Sequence, residues 1–530
     1  MIFLTYIINF EYVKGNLIIF YKIKAIYILI NLLEISQGGN LMGLQKILLR
    51  QHVGAPTEPV VKIGDKVKRG TLISKPTGLG ANIFSSVYGK VVEITDDAII
   101  IEKDENQPEE FVKLEGDDKL QLIKDAGVVG MGGAGFPTAV KLGTKVKYIL
   151  VNAAECEPLL HHNIDQIVDN TDMTIRGLKY VMEICGAEKG IFAIKAKNEK
   201  AVDALVEGCK NDNSLDIHLL PDIYPMGEER AVVREVLGIL LQPTDLPSKA
   251  DAVVINVETL LRVAEAIELK KPCFSKNVTV VGKLNGGTNP HVFMDVPVGT
   301  SVKELIEMSG GIDGEYGEII MGGPFTGKAC ELDTPITKTT GGIIVTKPFE
   351  DLKGEKMGLL VCACGGNEER MTDIAKKMNA EVVCVQKCKQ AADVKGNLKC
   401  ENPGNCPGQA LKVMNIKKAG AKHILIGNCT DCSNTVMGSA PKMNLEVHHQ
   451  TDHVLQTVGK DVIRYLTTSK HVPQLGEVEE ILAKAQSVEE TKEVEVPKVE
   501  KPNTVSFTDE GGLVISLKEG KDINIEFVID

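Results

Sequence analysis

Tryptophan is missing from the 530 residues, and only 10 tyrosines and 13 phenylalanines stand in for it. A flat ligand must therefore be stacked by few rings. A long basic run is also missing: Lys and Arg number 60 against 72 Asp and Glu, for a net charge of −12. A nucleic-acid binder shows a basic face, so that class falls away. Apolar runs of bilayer length are lacking too. The best candidate lies in residues 1–41, where Lys22 and Lys24 interrupt it and Glu34 closes what is left at residues 25–33. That remnant falls short of the roughly 20 residues a spanning helix needs. No small-residue cleavage site follows it, so it does not read as a signal peptide either.

Residues 1–41 stand apart in composition. They hold four Tyr and three Phe, and Ile is over-used. Gly38-Gly39 lies just upstream of Met42. Two glycine codons can read GGAGG, a bacterial ribosome-binding sequence, and Ile, Tyr, Phe, Asn and Lys are what AT-rich non-coding DNA yields on translation. The expectation is a mis-annotated leader with the true start at Met42.

Glycine is plentiful, 51 of 530, which is above the usual share of about 7%. Some loops must therefore let the backbone approach something closely. At roughly 100–200 residues per domain the length suggests three or four domains. Thirteen cysteines are present, and eight of them lie between 362 and 432. A chain this long does not need disulfide stapling, so clustered thiols point to metal or redox chemistry in a cytoplasmic protein.

Residues 45–105 read as short strands with glycine turns. The stretch 60–73 alternates apolar and polar residues around Gly64-Asp65, a hairpin-like signal, and 87–94 repeats the style. This resembles the sandwich of lipoyl and biotinyl carrier domains. Carriers present a lysine at the central hairpin tip, but residues 81–86 (Ala-Asn-Ile-Phe-Ser-Ser) have none. A structural module is expected there, not a swinging arm. Residues 118–270 alternate helical and strand-like stretches. The apolar runs 147–152 and 252–256 end in asparagine, as buried parallel strands with a ligand edge do. Residues 276–348 suggest a small α+β module with strands at 277–282 and 341–346 and a helix at 302–309. Residues 356–468 return to α/β alternation, with strands at 358–362, 380–385 and 423–426. Helices are expected there at 368–378, 409–418, 433–440 and 454–466. Residues 477–503 hold mostly Glu and Lys and read as an acidic linker. Residues 504–530 read as a small β tail.

The densest motif is Gly127-Val128-Val129-Gly130-Met131-Gly132-Gly133-Ala134-Gly135-Phe136-Pro137-Thr138. Successive glycines let backbone N–H groups face a phosphate or a flat ring. No strand leads directly into it, so it is not a Rossmann fingerprint. Phe136 offers a ring and Lys141 a positive charge. Three further clusters follow: Val151-Asn152-Ala153-Ala154-Glu155-Cys156-Glu157-Pro158, Tyr224-Pro225-Met226-Gly227-Glu228-Glu229, and Asn256-Val257-Glu258-Thr259.

Together these four clusters resemble the flavin- and NADH-binding subunit of respiratory complex I, and more closely the RnfC subunit of ferredoxin–NAD oxidoreductase complexes. The likeness covers roughly residues 45–350. It implies a multidomain α/β and α+β fold: a carrier-like β-sandwich, a complex-I-type flavin α/β domain, an SLBB β-grasp module and a C-terminal cysteine-rich α/β domain. It implies FMN with NADH as donor. By position, Gly130, Gly132, Gly133, Gly135 and Lys141 would line FMN and Phe136 would meet the nicotinamide side. Asn152 and Glu155 would hold the flavin, Gly227, Glu228, Asn256 and Thr259 would complete the pocket, and Glu157, Tyr224 and Glu229 would lie near NADH. Complex I carries an acid where this chain has Ala154, and an asparagine where it has Ile255.

RnfC proteins continue with two C-x2-C-x2-C-x3-C-P runs for [4Fe–4S] clusters. This chain has neither. It has Cys362-x-Cys364, Cys384-x3-Cys388, Cys400-x5-Cys406-Pro407 and Cys429-x2-Cys432. In a parallel sheet the carboxyl ends of the strands share one edge, so these thiols are expected to converge. Cys429 and Cys432 open a helix, whose dipole lowers a thiol pKa, and are the expected redox pair. Iron–sulfur or zinc ligation by Cys362, Cys364, Cys384, Cys388, Cys400 and Cys406 stays open. This arrangement resembles the PrdC-type electron-transfer proteins associated with proline reductase in amino-acid-fermenting anaerobes. Some of these carry selenocysteine, for which Cys432 is the candidate position. The pairs His161-His162 and His448-His449 read as surface residues.

The leading expectation is a cytoplasmic electron-transfer flavoprotein and NADH-dependent oxidoreductase component. It would pass electrons from NADH through FMN to C-terminal thiols and on to a partner reductase, proline reductase by resemblance. An alternative is an iron–sulfur RnfC-type subunit docked on a membrane complex. Another is a non-catalytic scaffold that has lost flavin.

Overall fold

The computed structural model describes residues 43–464, 472–477, 504–507, 513–516 and 522–524. The expected leader, its start at Met42 and nearly all of the acidic linker lie outside these residues. The chain divides at residue 472 into two units. In the second, three strands, Thr504–Phe507, Leu513–Ser516 and Asp522–Asn524, pair antiparallel, as the alternation suggests.

The first unit begins with two small sheets. One is ordered Leu44–Leu48, Ala98–Lys103, Gly89–Ile94, Lys66–Val67; the other is Thr57–Pro59, Leu72–Pro76, Ile83–Phe84. Alternate apolar residues of both (Ile47, Val67, Ile73, Ile83, Val91, Ile99, Ile101) bury into one core. The turn at Gly64 exists, with φ +99°, and the ends of the stretch meet, the Val60 N–H donating to the Ile73 carbonyl at 2.9 Å, but its middle does not pair with itself. Lys66–Val67 crosses to pair with Gly89 and Lys90, while Pro59 pairs with Ser74. The 81–86 segment is mostly buried, in keeping with a structural role.

Next comes a parallel sheet ordered Leu215–Leu220, Lys189–Lys195, Tyr148–Ala153, Ala252–Asn256. Its apolar strands are buried because helices cover its faces. Ala154 and Ile255 are buried in it. A mixed five-stranded sheet follows, carrying the helix Val302–Met308, with Ser275–Gly282 and Gly342–Val345 as parallel neighbours.

The last sheet of this unit is parallel and four-stranded: Glu381–Lys387, Lys356–Val361, His423–Ile426, Glu446–His449. Its helices Glu368–Lys377 and Ala410–Lys418 fall where expected, and the helix expected over 433–440 begins earlier, as Thr430–Met437. The helix expected over 454–466 is shorter, Asp452–Thr457. The strand Glu446–His449 was not legible as one. The expectation that adjacent histidines face solvent is corrected here: His448 and His449 are both buried, as is His162. No described helix is long and apolar enough to cross a membrane.

Candidate functional site

The glycine loop is closed at its neck. Val129 bridges Pro137, and the Gly130 N–H donates to the Phe136 carbonyl at 2.9 Å. The Met131 N–H donates to Thr259 Oγ1 at 3.0 Å. Asn256 caps the helix Val257–Ala264, its Oδ1 accepting from the Glu258 N–H at 2.9 Å. A Cβ on Gly132 would fall 2.5 Å from the Asn256 side chain, so Gly132 is required by packing. A Cβ on Gly133 would meet nothing within 4 Å, so this glycine faces open space. Gly135, at φ +75°, turns the chain against the Gln51 carbonyl and Thr339.

A cavity of about 930 Å³ opens beside this loop. Gly132, Gly133, Asn152, Glu155, Glu157, Gly227 and Asn256 line it. The other expected contacts sit behind its wall. Gly130 and Thr259 brace the loop, and Phe136 is 37% exposed. Lys141 is turned away, with Nζ 2.6 Å from Glu229 Oε1 and 2.9 Å from the Val254 carbonyl. Glu228 caps the helix Glu229–Leu237 and pairs with Arg230 at 2.9 Å. Tyr224 lies at the thiols.

Sequence reasoning missed the opposite wall. Lys328 and Thr326, Thr334, Thr337, Thr339 and Thr340 line it, supplying one cation and several hydroxyls. The threonine-rich run before Gly341 was its only signal. Asn163, also missed, lines the cavity, and its buried Oδ1 has no partner. An orphaned acceptor at a cavity wall is a binding feature, since leaving it unpaired costs about 1–3 kcal/mol.

Two acids lie in this wall. Glu155, at φ +36°, accepts from the Asn163 N–H at 2.9 Å. Burial pushes its carboxyl up to about 7. Burial also raises Glu157, whose two oxygens accept from the Phe325 and Thr326 N–H groups at 2.8 and 2.9 Å. Asn152 Nδ2 donates to the Gly227 carbonyl at 2.8 Å, joining the two motif loops.

The thiols converge past the carboxyl ends of the last sheet. Cys362 contacts Cys364 and Cys388, Cys364 contacts Cys400, and Cys432 contacts Cys388 and Cys406. Six sulfurs thus run in the order 400, 364, 362, 388, 432, 406. Cys429 stands beside the row as the cap residue of the helix Thr430–Met437, with its sulfur accepting the Cys432 N–H. Cys429 and Cys432 are both buried, and Cys432 makes its sulfur contacts with Cys388 and Cys406. One expectation changes here. Cys384 is not in the row, because its strand runs on to Lys387 and holds it in mid-strand opposite Gly358.

Titration differs along the row. Burial pushes Cys429 up to about 12, so the helix dipole does not prevail there. The contact with Cys432 holds Cys406 down at about 6, helped by Thr435 and Gln409. Cys388 is also lowered, by Cys362 and Cys432, while Cys432 as the donor is raised. The thiols lowered along this row are therefore Cys388, Cys400 and Cys406, each beside a neighbouring sulfur.

Cavity and row share a wall. Cys156 lines the cavity and packs on the core that holds Cys364, Cys406, Cys429 and Cys432. Tyr224 stacks on Phe325 with centroids 3.7 Å apart and planes 2° from parallel. The Tyr224 hydroxyl donates to the Cys364 carbonyl, and the Phe325 N–H is held by Glu157.

Residues 123–265 match the Nuo51 FMN-binding domain family, and residues 40–118 match the RnfC barrel sandwich hybrid domain. An RnfC-type subunit of the proton-translocating ferredoxin:NAD(+) oxidoreductase complex of Clostridium ljungdahlii is 36% identical over 339 residues, covering 60% of this chain and 73% of that protein. Its counterpart in the Na(+)-translocating complex of Acetobacterium woodii is 31% identical over 316 residues, covering 55% and 71%. The cobalamin reductase PduS of Salmonella typhimurium is 37% identical over 247 residues, covering 46% and 53%, so the chain spans about half of that relative.

Proposed function

Because this chain belongs to the family of RnfC-type subunits of ferredoxin:NAD(+) oxidoreductase complexes, we propose that it is an electron-transfer flavoprotein whose FMN sits in the glycine-loop cavity and whose electrons leave through the thiol row. The observation that carries this reading is the shared wall of Cys156, Glu157, Phe325 and Tyr224 between cavity and row. The donor set fits FMN. Gly133 leaves space for a flat ring, Asn163 Oδ1 offers an unpaired acceptor, and Lys328 with the threonines offers donors for a phosphate.

FMN there supplies hydride acceptance from NADH and onward release of electrons. The chain's own residues do the rest. Gly132 and Gly133 admit the ring, and Asn256 and Thr259 brace the loop from behind. Glu155, with its carboxyl near 7, holds or gives up a proton at the cavity wall around neutrality. Glu157 locks Phe325 against Tyr224. Lys141 acts as a brace for Glu229, not as a phosphate ligand.

The fold suits the finer domain reading, with 276–348 as the SLBB β-grasp and 356–468 as the redox domain. The thiols act by two-electron exchange, with Cys388 or Cys406 as nucleophile, or by holding an iron–sulfur cluster. The acceptor is a partner reductase in the cytoplasm; proline reductase, and a selenol at position 432, rest only on likeness of the cysteine pattern to PrdC-type proteins. Docking on a membrane complex is the second reading, favoured by the relatives that are named as members of ion-translocating complexes. Anaerobic absorption spectra test all of this. Flavin peaks alone support thiol exchange, flavin with a broad iron–sulfur shoulder supports a cluster, and absence of flavin overturns the cavity assignment.

A further inference from the structure

A second constellation lies near the amino ends of the last sheet, the edge opposite the thiols. His423 opens the strand His423–Ile426 and pairs in register with Glu446 of the neighbouring strand. Residues two apart on a strand share a face, so Glu446 and His448 project to one side, beside His423. His423 Nδ1 lies 3.0 Å from His448 Nε2 and 3.6 Å from Glu446 Oε2. All three donor atoms lie within 4.8 Å of one another. A tetrahedral ion with bonds of about 2.0–2.1 Å sets its ligand atoms about 3.3 Å apart. The observed spacings bracket that value.

The surroundings match a metal site in a second respect. His423 Nε2 meets Glu355 Oε2 at 2.7 Å, and the other Glu355 oxygen is held by Lys422 at 2.6 Å. A carboxylate at that nitrogen accepts a hydrogen bond from Nε2–H, which keeps the proton on Nε2 and leaves Nδ1 with a bare lone pair, the arrangement that orients metal-bound histidines. Nδ1 and the Glu446 carboxylate are then two acceptors facing each other. A hydrogen bond from His448 satisfies only the first, whereas a cation satisfies both. Both imidazoles are buried, and Glu446 is exposed, so the fourth position opens to water. Imidazoles select zinc-class ions over magnesium or calcium.

We propose that His423 Nδ1, His448 Nε2 and Glu446 form a site for a divalent zinc-class ion, with Glu355 as the positioning residue, separate from the thiol row. The ion ties the edge strand Glu446–His449 to its neighbour. The test is zinc content of the full chain by elemental analysis, after anaerobic loading with zinc and dialysis. It compares the native chain with Glu446→Gln and His448→Gln. Any zinc held by thiols is common to all three and cancels. Each variant is expected to hold one equivalent less, with unchanged thiol titre, and zinc is expected to raise the Tm of the native chain more than that of Glu446→Gln. Glu446 is exposed, so its variant keeps the test valid if His448→Gln does not fold. Equal zinc content in the native chain and Glu446→Gln, or an equal Tm rise, overturns the site and leaves the cluster as a hydrogen-bonded network. Flavin content plays no part in the readout, so failure here is distinct from failure of the flavoprotein reading.

Discussion

The cavity and the thiol row both stand past the carboxyl ends of parallel strands, yet they are lined by opposite chemistry. Around the cavity, glycines, asparagines and acids each have a local brace: Asn256 caps a helix, Thr259 holds Met131, and Glu157 holds two backbone N–H groups. Around the row, six sulfurs mostly satisfy one another, and the side chains of Gln390, Gln409, Asn428 and Thr435 reach them. The first arrangement is complete without its ligand, apart from Asn163 Oδ1. The second places lowered thiols at Cys388 and Cys406, with Lys387, Lys389 and Lys412 lining the space beside Cys388 and Arg230 reaching the Cys400 carbonyl. A row of this kind is stable when reduced protons are shared along it, when it closes to a disulfide, or when a cluster replaces the protons.

The largest effect that separates the two regions is expected from Cys432→Ser. Among the described residues, Cys432 is the sulfur that joins the Cys388 and Cys406 ends of the row. Its loss should slow electron delivery to any acceptor by roughly 100-fold or more, as removal of one member of a unit does. Flavin reduction by NADH should stay within about 2-fold, since Cys432 does not line the cavity. Stopped-flow spectra at the flavin and acceptor wavelengths read both rates. Cys384→Ser, in mid-strand, should leave both unchanged. Equal slowing by these two variants breaks the distinction between row and strand.

Next in size is the glycine pair. Gly133→Val puts a branched side chain into open space beside the loop, so it should strip flavin while leaving the apoprotein Tm within a few degrees. Gly132→Ala instead drives a methyl into Asn256 and should lower stability by roughly 1–3 kcal/mol by overpacking. Flavin absorbance per chain and thermal melts distinguish the two. Full flavin content in Gly133→Val removes the loop from the site.

This pair also shows what was legible in the sequence. Glycine spacing announces a close approach, and the four motifs announced one pocket, because strand-end residue types are local facts. Which glycine meets the ligand depends on Asn256, more than a hundred residues on. Lys141 looked like a residue lining FMN because its partner Glu229 is invisible from position 141. Cys384 looked like a strand end because the polar pair Gln386-Lys387 hides the strand's continuation. His448 and His449 looked exposed because their burial comes from a strand that carries no apolar run. The parallel sheets, whose apolar strands are self-evident, were the easiest part to read.

A smaller effect concerns pH. Glu155 has its carboxyl raised from 4.5 to about 7 by burial. Between those values the unfolded chain has lost a proton that the folded chain keeps, so stability falls as pH rises through this window. The deficit is absent below about pH 4 and reaches roughly 3 kcal/mol above pH 7 at full burial. Glu155→Gln should therefore match the native chain near pH 4 and exceed it in urea midpoint near pH 8. Parallel curves for the two proteins would show that Glu155 is ionised in the fold.

The smallest effect lies at the shared wall itself. Tyr224→Phe keeps the ring stacked on Phe325 and removes only the hydroxyl that donates to the Cys364 carbonyl. Loss of one buried hydrogen bond costs about 1 kcal/mol. Burial holds the Tyr224 phenol well above its ordinary value, so it is neutral through the working range. The loss should therefore be the same at pH 5 and pH 8, unlike that of Glu155. Electron delivery should stay within about 2-fold, because the ring contact and the position of Cys156 are untouched. Urea melts at the two pH values and stopped-flow rates measure these quantities. If delivery instead falls by about tenfold while stability changes by less than about 0.5 kcal/mol, the coupling between cavity and row runs through the hydroxyl and the Cys364 backbone. The stacked rings would then only hold that hydroxyl in place.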